Sequence, residues 1–136
     1  MSFHPYLFFN GNCREAFTRY QEIFGGELQL ISMADMAANE GEAPPAEQGE
    51  LIMHASLVAG DALLMGSDDP TGGFESVQGM QVNHDTTDVA EANRVYDALS
   101  EGGEATMPMS ETSWSPAFGM LTDRFGTPWM ISTAAP

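Results

Sequence analysis

A chain of 136 residues with 43% hydrophobic residues is sized for one domain with a real core, and it holds no run of roughly 18 apolar residues that could span a membrane. Twenty acidic residues against four arginines and no lysine give a formal charge of −16, which repels nucleic-acid backbones and anionic membrane surfaces. A single cysteine cannot close an internal disulfide and Met1–Pro5 has no basic or apolar leader character, so the expected setting is the cytoplasm.

Residues 3–9 form a β-rich run that stops at the turn-prone Asn10-Gly11-Asn12. A helix follows: Asn12 and Glu15 have the spacing of a capping box, Ala16, Phe17, Tyr20, Ile23 and Phe24 recur on one face, and Gly25-Gly26 closes it. Glu27–Met33 reads as a strand. Ala34–Gly49 is acidic, contains prolines and lacks periodicity, so it reads as a loop or flap. Leu51–Val58 and Ala62–Gly66 then form a hairpin about Gly60-Asp61, and Ser67–Gly73 reads as a connector.

The plan then repeats. Met80–Asp85 reads as a strand, Asp88 and Glu91 as a cap pair, Val89, Ala92, Val95, Tyr96 and Leu99 as a helical stripe, and Gly102-Gly103 as its end. Glu104–Met107, Phe118–Asp123 and Trp129–Thr133 supply three further strands. Asn12, Glu15, Ala16 and Tyr20 match Asp88, Glu91, Ala92 and Tyr96 at a constant offset of 76. The expected fold is α+β, one domain over 1–136 made of two β-α-β-β-β modules, about 3–69 and 77–133.

Several local motifs carry a resemblance. They are Pro5-Tyr6-Leu7-Phe8-Phe9-x-Gly11-Asn12-Cys13-x-Glu15-Ala16, Phe24-Gly25-Gly26, Met53-His54-Ala55, Ser67-Asp68, Glu111-Thr112-x-Trp114, Phe118-Gly119, Asp123-x-Phe125-Gly126 and Trp129-Met130-Ile131. On these the chain resembles the PhnB-like branch of the vicinal oxygen chelate superfamily, the glyoxalase/bleomycin resistance/dioxygenase group, also labelled 3-demethylubiquinone methyltransferase-like. The resemblance implies curved mixed sheets around a small-molecule cavity, and a homodimer.

It also implies where a divalent metal would sit: on the first and last strand of each module. Aligned on the helix tyrosines, those places fall at Pro5, Met65, Gln81 and Met130. Proline offers no ligand and thioethers are poor partners for hard or borderline cations, so Gln81 alone could serve and the inherited metal centre reads as lost. No cofactor is expected.

His54 is the first catalytic candidate. With Gly60-Asp61 as turn residues, Ser56 opposes Met65 and His54 opposes Ser67, which puts His54 on the Met65 face. It reads either as a hydrogen-bonded core histidine or as a general base or ligand-binding group. Glu111 is a second candidate carboxylate, against an exposed loop acid. Met65, Gln81, Trp114, Trp129 and Met130 are the candidate ligand-binding residues; the bland reading of Trp129 is core packing. Cys13 reads as a small packing residue rather than an activated thiol, and His84 as a loop residue.

The chain has no G-x-G-x-x-G, P-loop, H-E-x-x-H or C-x-x-C, which withholds support from nucleotide, S-adenosylmethionine and zinc-protease chemistry. Two readings stay open: a metal-free protein that binds a small organic ligand, and a lyase, isomerase or oxygenase with a rearranged site at His54.

Overall fold

The computed structural model describes residues 1–40, 50–71 and 73–133, with the backbone alone for 37–40. The chain divides into two compact units, Met1–Glu75 and Ser76–Pro136. The first holds β1 (Tyr6–Phe9), α1 (Cys13–Phe24), β2 (Glu27–Ser32), α2 (Met33–Glu40), β3 (Ile52–Ala59) and β4 (Ala62–Asp68). The second holds β5 (Val82–Thr86), α3 (Val89–Ser100), β6 (Glu104–Ser110), β7 (Phe118–Thr122) and β8 (Pro128–Thr133).

Each unit contains one four-stranded mixed sheet. The order is β1-β4-β3-β2 in the first and β5-β8-β7-β6 in the second, with β1 parallel to β4 and β5 parallel to β8. The β-α-β-β-β plan expected twice from the sequence is therefore present twice. The hairpin register is also as expected: Ala59 pairs with Ala62 and Ser56 with Met65.

In the first unit α1 covers one sheet face because its apolar stripe buries Cys13, Ala16, Phe17, Tyr20 and Ile23. Phe17 packs edge-on between Phe9 and Tyr20, at centroid distances of 6.0 and 5.6 Å. Burying that one ring stabilises the fold by about 2–3 kcal/mol. Gly66 lies beneath it, where a Cβ would come within 2.8 Å of the Phe17 ring. In the second unit α3 buries Ala92, Val95, Tyr96 and Leu99. The Tyr96 hydroxyl donates to the Met107 carbonyl at 3.0 Å, tying α3 to β6.

The second glycine of each Gly-Gly pair has a steric reason. A Cβ on Gly26 would lie 2.1 Å from the Val58 carbonyl oxygen, and one on Gly103 would lie 2.3 Å from that of Thr122. The helix-to-strand turn passes too close to the neighbouring strand for any side chain.

Four expectations need correction. Ala34–Gly49 does not begin as a loop, because α2 occupies Met33–Glu40; residues 41–49 lie outside the described residues. The start of α2 is a reciprocal cap: Asp35 N–H donates to Ser32 Oγ and Ser32 N–H to Asp35 Oδ2, each at 3.1 Å. Asn12 makes no side-chain cap on α1; the Cys13 N–H instead donates to Asp68 Oδ1 at 2.9 Å. Ser67 and Asp68 belong to β4 rather than to a connector, and His84 stands in the middle of β5 rather than in a loop.

Candidate functional site

Strand alternation sorts the residues of each sheet into a face packed under the helix and a face turned away from it. In the first unit Leu7, Phe9, Ala55, Leu57, Leu64 and Gly66 face α1 and are buried. The opposite face carries Tyr6 and Phe8 from β1, Met65 and Ser67 from β4, and His54 and Ser56 from β3. Pairing of Tyr6 with Met65, Phe8 with Ser67 and Ser56 with Met65 sets these side by side. Phe8 is 57% exposed and Tyr6 40%, unusual values for aromatic residues in a sheet.

The functional group nearest to chemistry on this face is His54. Its Nδ1 lies 3.4 Å from the Tyr6 hydroxyl, and the two rings are 5.9 Å apart between centroids. If the phenol donates to Nδ1, the Nε2 carries the proton and presents a donor outward. Phe8 flanks Tyr6 with a centroid separation of 5.4 Å. Imidazole, phenol, aromatic ring and thioether thus share one uncovered surface.

In the second unit Trp129, Ile131, Gly119 and Leu121 face α3 and are buried; a Cβ on Gly119 would meet the Tyr96 ring at 2.9 Å. The other face carries Asn83 and Asp85 from β5, Met130 and Ser132 from β8, and Phe118 and Met120 from β7, paired as Asn83–Met130–Met120 and Asp85–Ser132–Phe118. The Ser132 hydroxyl lies 3.1 Å from Asn83 Oδ1 and 3.2 Å from Asp85 Oδ1. Trp114, 63% exposed, packs edge-on against Phe118 at 5.6 Å. Its loop is fastened by Ser115, whose buried hydroxyl lies 2.6 Å from the Thr133 carbonyl oxygen and accepts from the Thr133 N–H.

The residues singled out from sequence fall unevenly on this geometry. Met65, His54, Met130 and Trp114 stand on, or beside, the faces away from the helices. Trp129 does not: it is 2% exposed, faces α3, and donates its indole N–H to Asp123 Oδ2 at 2.9 Å, which makes it core. Glu111 is an exposed residue just past the end of β6. Gln81 is exposed and precedes β5, while Asn83 is the residue in register with Met130. Likewise Tyr6, not Pro5, is in register with Met65. The loop between β1 and α1 has one residue more than that between β5 and α3. The strands therefore correspond at an offset of 77 while the helices keep 76, so the first-strand position moves by one residue from Pro5 to Tyr6 and by two from Gln81 to Asn83.

Sequence reasoning missed Tyr6, Phe8, Asn83, Asp85 and Ser132. A signal for the last existed, because Ser67 and Ser132 share with Met65 and Met130 an offset of 65. Cys13 is fully buried, and its thiol is pushed up to about 12 by burial and by the charge of Asp68, with Arg14 opposing. It is packing, not a nucleophile.

At the first-strand and last-strand positions the first unit offers a phenol and a thioether, Tyr6 and Met65, and the second an amide and a thioether, Asn83 and Met130. That chemistry does not fit a divalent Zn, Fe or Mn centre. Among the described residues no three His, Cys, Asp or Glu side chains are grouped to share an ion.

Two β-α-β-β-β units of this order define the glyoxalase/bleomycin-resistance type of fold. An enzyme of the glyoxalase/bleomycin resistance protein/dioxygenase family from Burkholderia phytofirmans has this fold too, with TM-score 0.64 over 96% of this chain and 95% of its own at 14% identity. The chain belongs to the family described as 3-demethylubiquinone-9 3-methyltransferase, whose sequence model matches residues 1–132. It is 37% identical to Protein YjdN of Escherichia coli over 97% of this chain and 95% of that protein. It is also similar to the crystal structure of PA1353 from Pseudomonas aeruginosa, at 41% identity and TM-score 0.88 over 98% of both chains. A PhnB protein from Bacillus cereus shares the fold at 22% identity, with TM-score 0.74 over 98% of this chain and 100% of that one.

Proposed function

We propose that this chain is a metal-independent binding protein for a small organic molecule, which lies against the strand faces turned away from the helices. The observation that carries the reading is the Tyr6–His54 contact on an uncovered face that also bears Phe8 and Met65. Exposed aromatic and thioether surface beside a few polar groups is the composition of a ligand site rather than of a solvated sheet. The family's methyltransferase description finds no support in these residues, since neither unit has a parallel, doubly wound sheet with a glycine-rich phosphate loop. The reading includes a homodimer, which light scattering would test.

Native mass spectrometry combined with elemental analysis tests the proposal. A co-purifying organic mass without a stoichiometric transition metal is the expected result; one tightly held metal per chain would overturn it. A second reading, acid–base catalysis at His54, rests on the same contact taken in the opposite sense: if His54 Nδ1–H donates to the Tyr6 oxygen, Nε2 is left without a proton and is able to act as a general base. His54→Ala separates the two: it weakens ligand binding under either reading, but only under the second does it abolish a turnover that persists in Tyr6→Phe at reduced rate.

A further inference from the structure

We propose that the face of the second sheet turned away from α3 holds the cationic head of a small organic ligand, with Asp85 as counter-charge and Trp114, braced by Phe118, as aromatic wall. The inference rests on the binding reading above and adds to it the ligand's charge.

Proton counting on the row supports it. Ser132 has one hydroxyl proton and two oxygens near it, Asn83 Oδ1 at 3.1 Å and Asp85 Oδ1 at 3.2 Å. Both contacts are satisfied if the Asn83 amide is turned over, so that its NH2 donates to Ser132 and Ser132 donates to Asp85. The chain of donors then ends on a carboxylate. The row offers an ionised acceptor to a ligand, and Asp85 is exposed to receive it.

Spacing supports it as well. Asp85, Ser132 and Phe118 are neighbours across three strands. Adjacent strands lie about 4.8 Å apart, so the carboxylate and the aromatic ring are mounted roughly 10 Å apart, a gap that an arylalkylammonium can bridge. The neighbouring row, Met130 and Met120, adds polarizable apolar floor. With the ammonium at Asp85, the aryl end of such a ligand lies against the exposed Trp114 ring.

Charge placement excludes the opposite sign. The four arginines are the chain's only cationic side chains besides its histidines, and none lies on a strand. Arg14 and Arg19 are on α1, beside Glu50 and Glu22; Arg94 is on α3, paired with Glu91; Arg124 is in the turn before β8, stacked on Phe125. A phosphonate, phosphate or carboxylate would meet no arginine on either uncovered face.

The test uses the full chain, at low salt, titrated with benzyltrimethylammonium, benzyl alcohol and benzoate and followed by NMR. The ammonium is expected to bind about ten-fold more tightly than benzoate, shifting the Trp114 indole signals, and Asp85→Asn is expected to erase that preference without changing Tm. If the three probes bind alike and Asp85→Asn changes nothing, the charge inference falls while the binding reading stands. If the ammonium shifts only Tyr6 and His54, or if calcium chloride alone takes its place at Asp85, the inference also falls. If no probe shifts either face, both fall.

Discussion

In the first unit the face away from the helix carries Tyr6 and Phe8 beside Met65 and Ser67. In the second unit the same four places hold Asn83 and Asp85 beside Met130 and Ser132. The last strands of the two sheets agree in thioether and hydroxyl, whereas the first strands differ in kind, aromatic against polar. On β3 and β7 the corresponding residues are Ser56 and Met120, both opposite the shared methionine. The helix-facing sides have been kept apolar by the need to bury a core, but nothing in the fold constrains what the other sides display. The repeat preserves a scaffold and leaves two chemically different surfaces, one with a hydrogen-bonded imidazole and one with a carboxylate.

The comparison is most easily broken at two buried carboxylates. Asp68 ends β4 and accepts the N–H groups of Cys13 and Ile52, each at 2.9 Å, fastening α1 and β3 to the sheet. Asp123 follows β7 and accepts from Phe125, Thr127 and the Trp129 indole, all at 2.9 Å. Truncation orphans buried donors, so Asp68→Ala and Asp123→Ala are each expected to cost about 2–5 kcal/mol, Asp123 the more. Urea unfolding measures this, with the exposed Asp97→Ala as reference. If either buried variant matched Asp97→Ala, that clamp would not be structural.

The glycine turns come next. Gly26 has φ +92° and a carbonyl where its Cβ would go; Gly103 shares the obstruction without a positive φ. Gly26→Ala is therefore expected to lose about 3 kcal/mol and Gly103→Ala about 1–3 kcal/mol. The reverse order would mean that contact with the strand, not backbone conformation, limits the first turn.

Cys13 gives a kinetic reading of the first unit. With its thiol pushed up to about 12, iodoacetamide at pH 8 is expected to label it only as fast as the chain opens, and faster in Asp68→Ala. Because the folded value lies above the unfolded 9.0, the stability held by the neutral thiol is intact below pH 9 and is lost as pH rises from there toward 12. Cys13→Ala should flatten that alkaline decline. Rapid labelling of the folded wild type would place the thiol at the surface instead.

Much of this was legible from residues alone, because helix stripes, glycine turns and the Gly60-Asp61 hairpin are local signals with fixed periods. The register that chooses between Pro5 and Tyr6, or Gln81 and Asn83, was not. A single extra residue before α1 shifts the strand offset without touching the helix motif; the slip of one between Pro5 and Tyr6 reverses the side chain, whereas the slip of two between Gln81 and Asn83 keeps the face and misses the register. The α2 helix was hidden for another reason. Its cap pair, Ser32 and Asp35, is visible in the sequence, but the acidic, proline-containing stretch behind it carries no periodicity to extend it. Trp129 was ambiguous because an indole suits core and pocket alike; only its alternation with Met130 decides.

The smallest expected effect tests a titratable intrusion into the second core. His84 occupies on β5 the place of Leu7 on β1, half-buried on the face toward α3 and paired with Ile131. Burial lowers its pKa below 6.5, and Arg94 adds slightly to this, while Glu91 and Asp85 pull the other way. The unfolded chain then takes up the proton first as pH falls. Stability held by the neutral ring is therefore complete above pH 6.5 and is lost as pH drops through the lower, folded value. Asp35, Asp69 and Glu91 also have lowered values, but their losses come in the carboxylate range, at lower pH. His84→Leu makes the second unit resemble the first at this position. The unfolding midpoint in urea should then become flat between pH 7 and 5.5, where the wild type declines slightly. An unchanged slope in His84→Leu would show that the second core tolerates the charged ring as well as the neutral one, and that the leucine and histidine positions are not equivalent in burial.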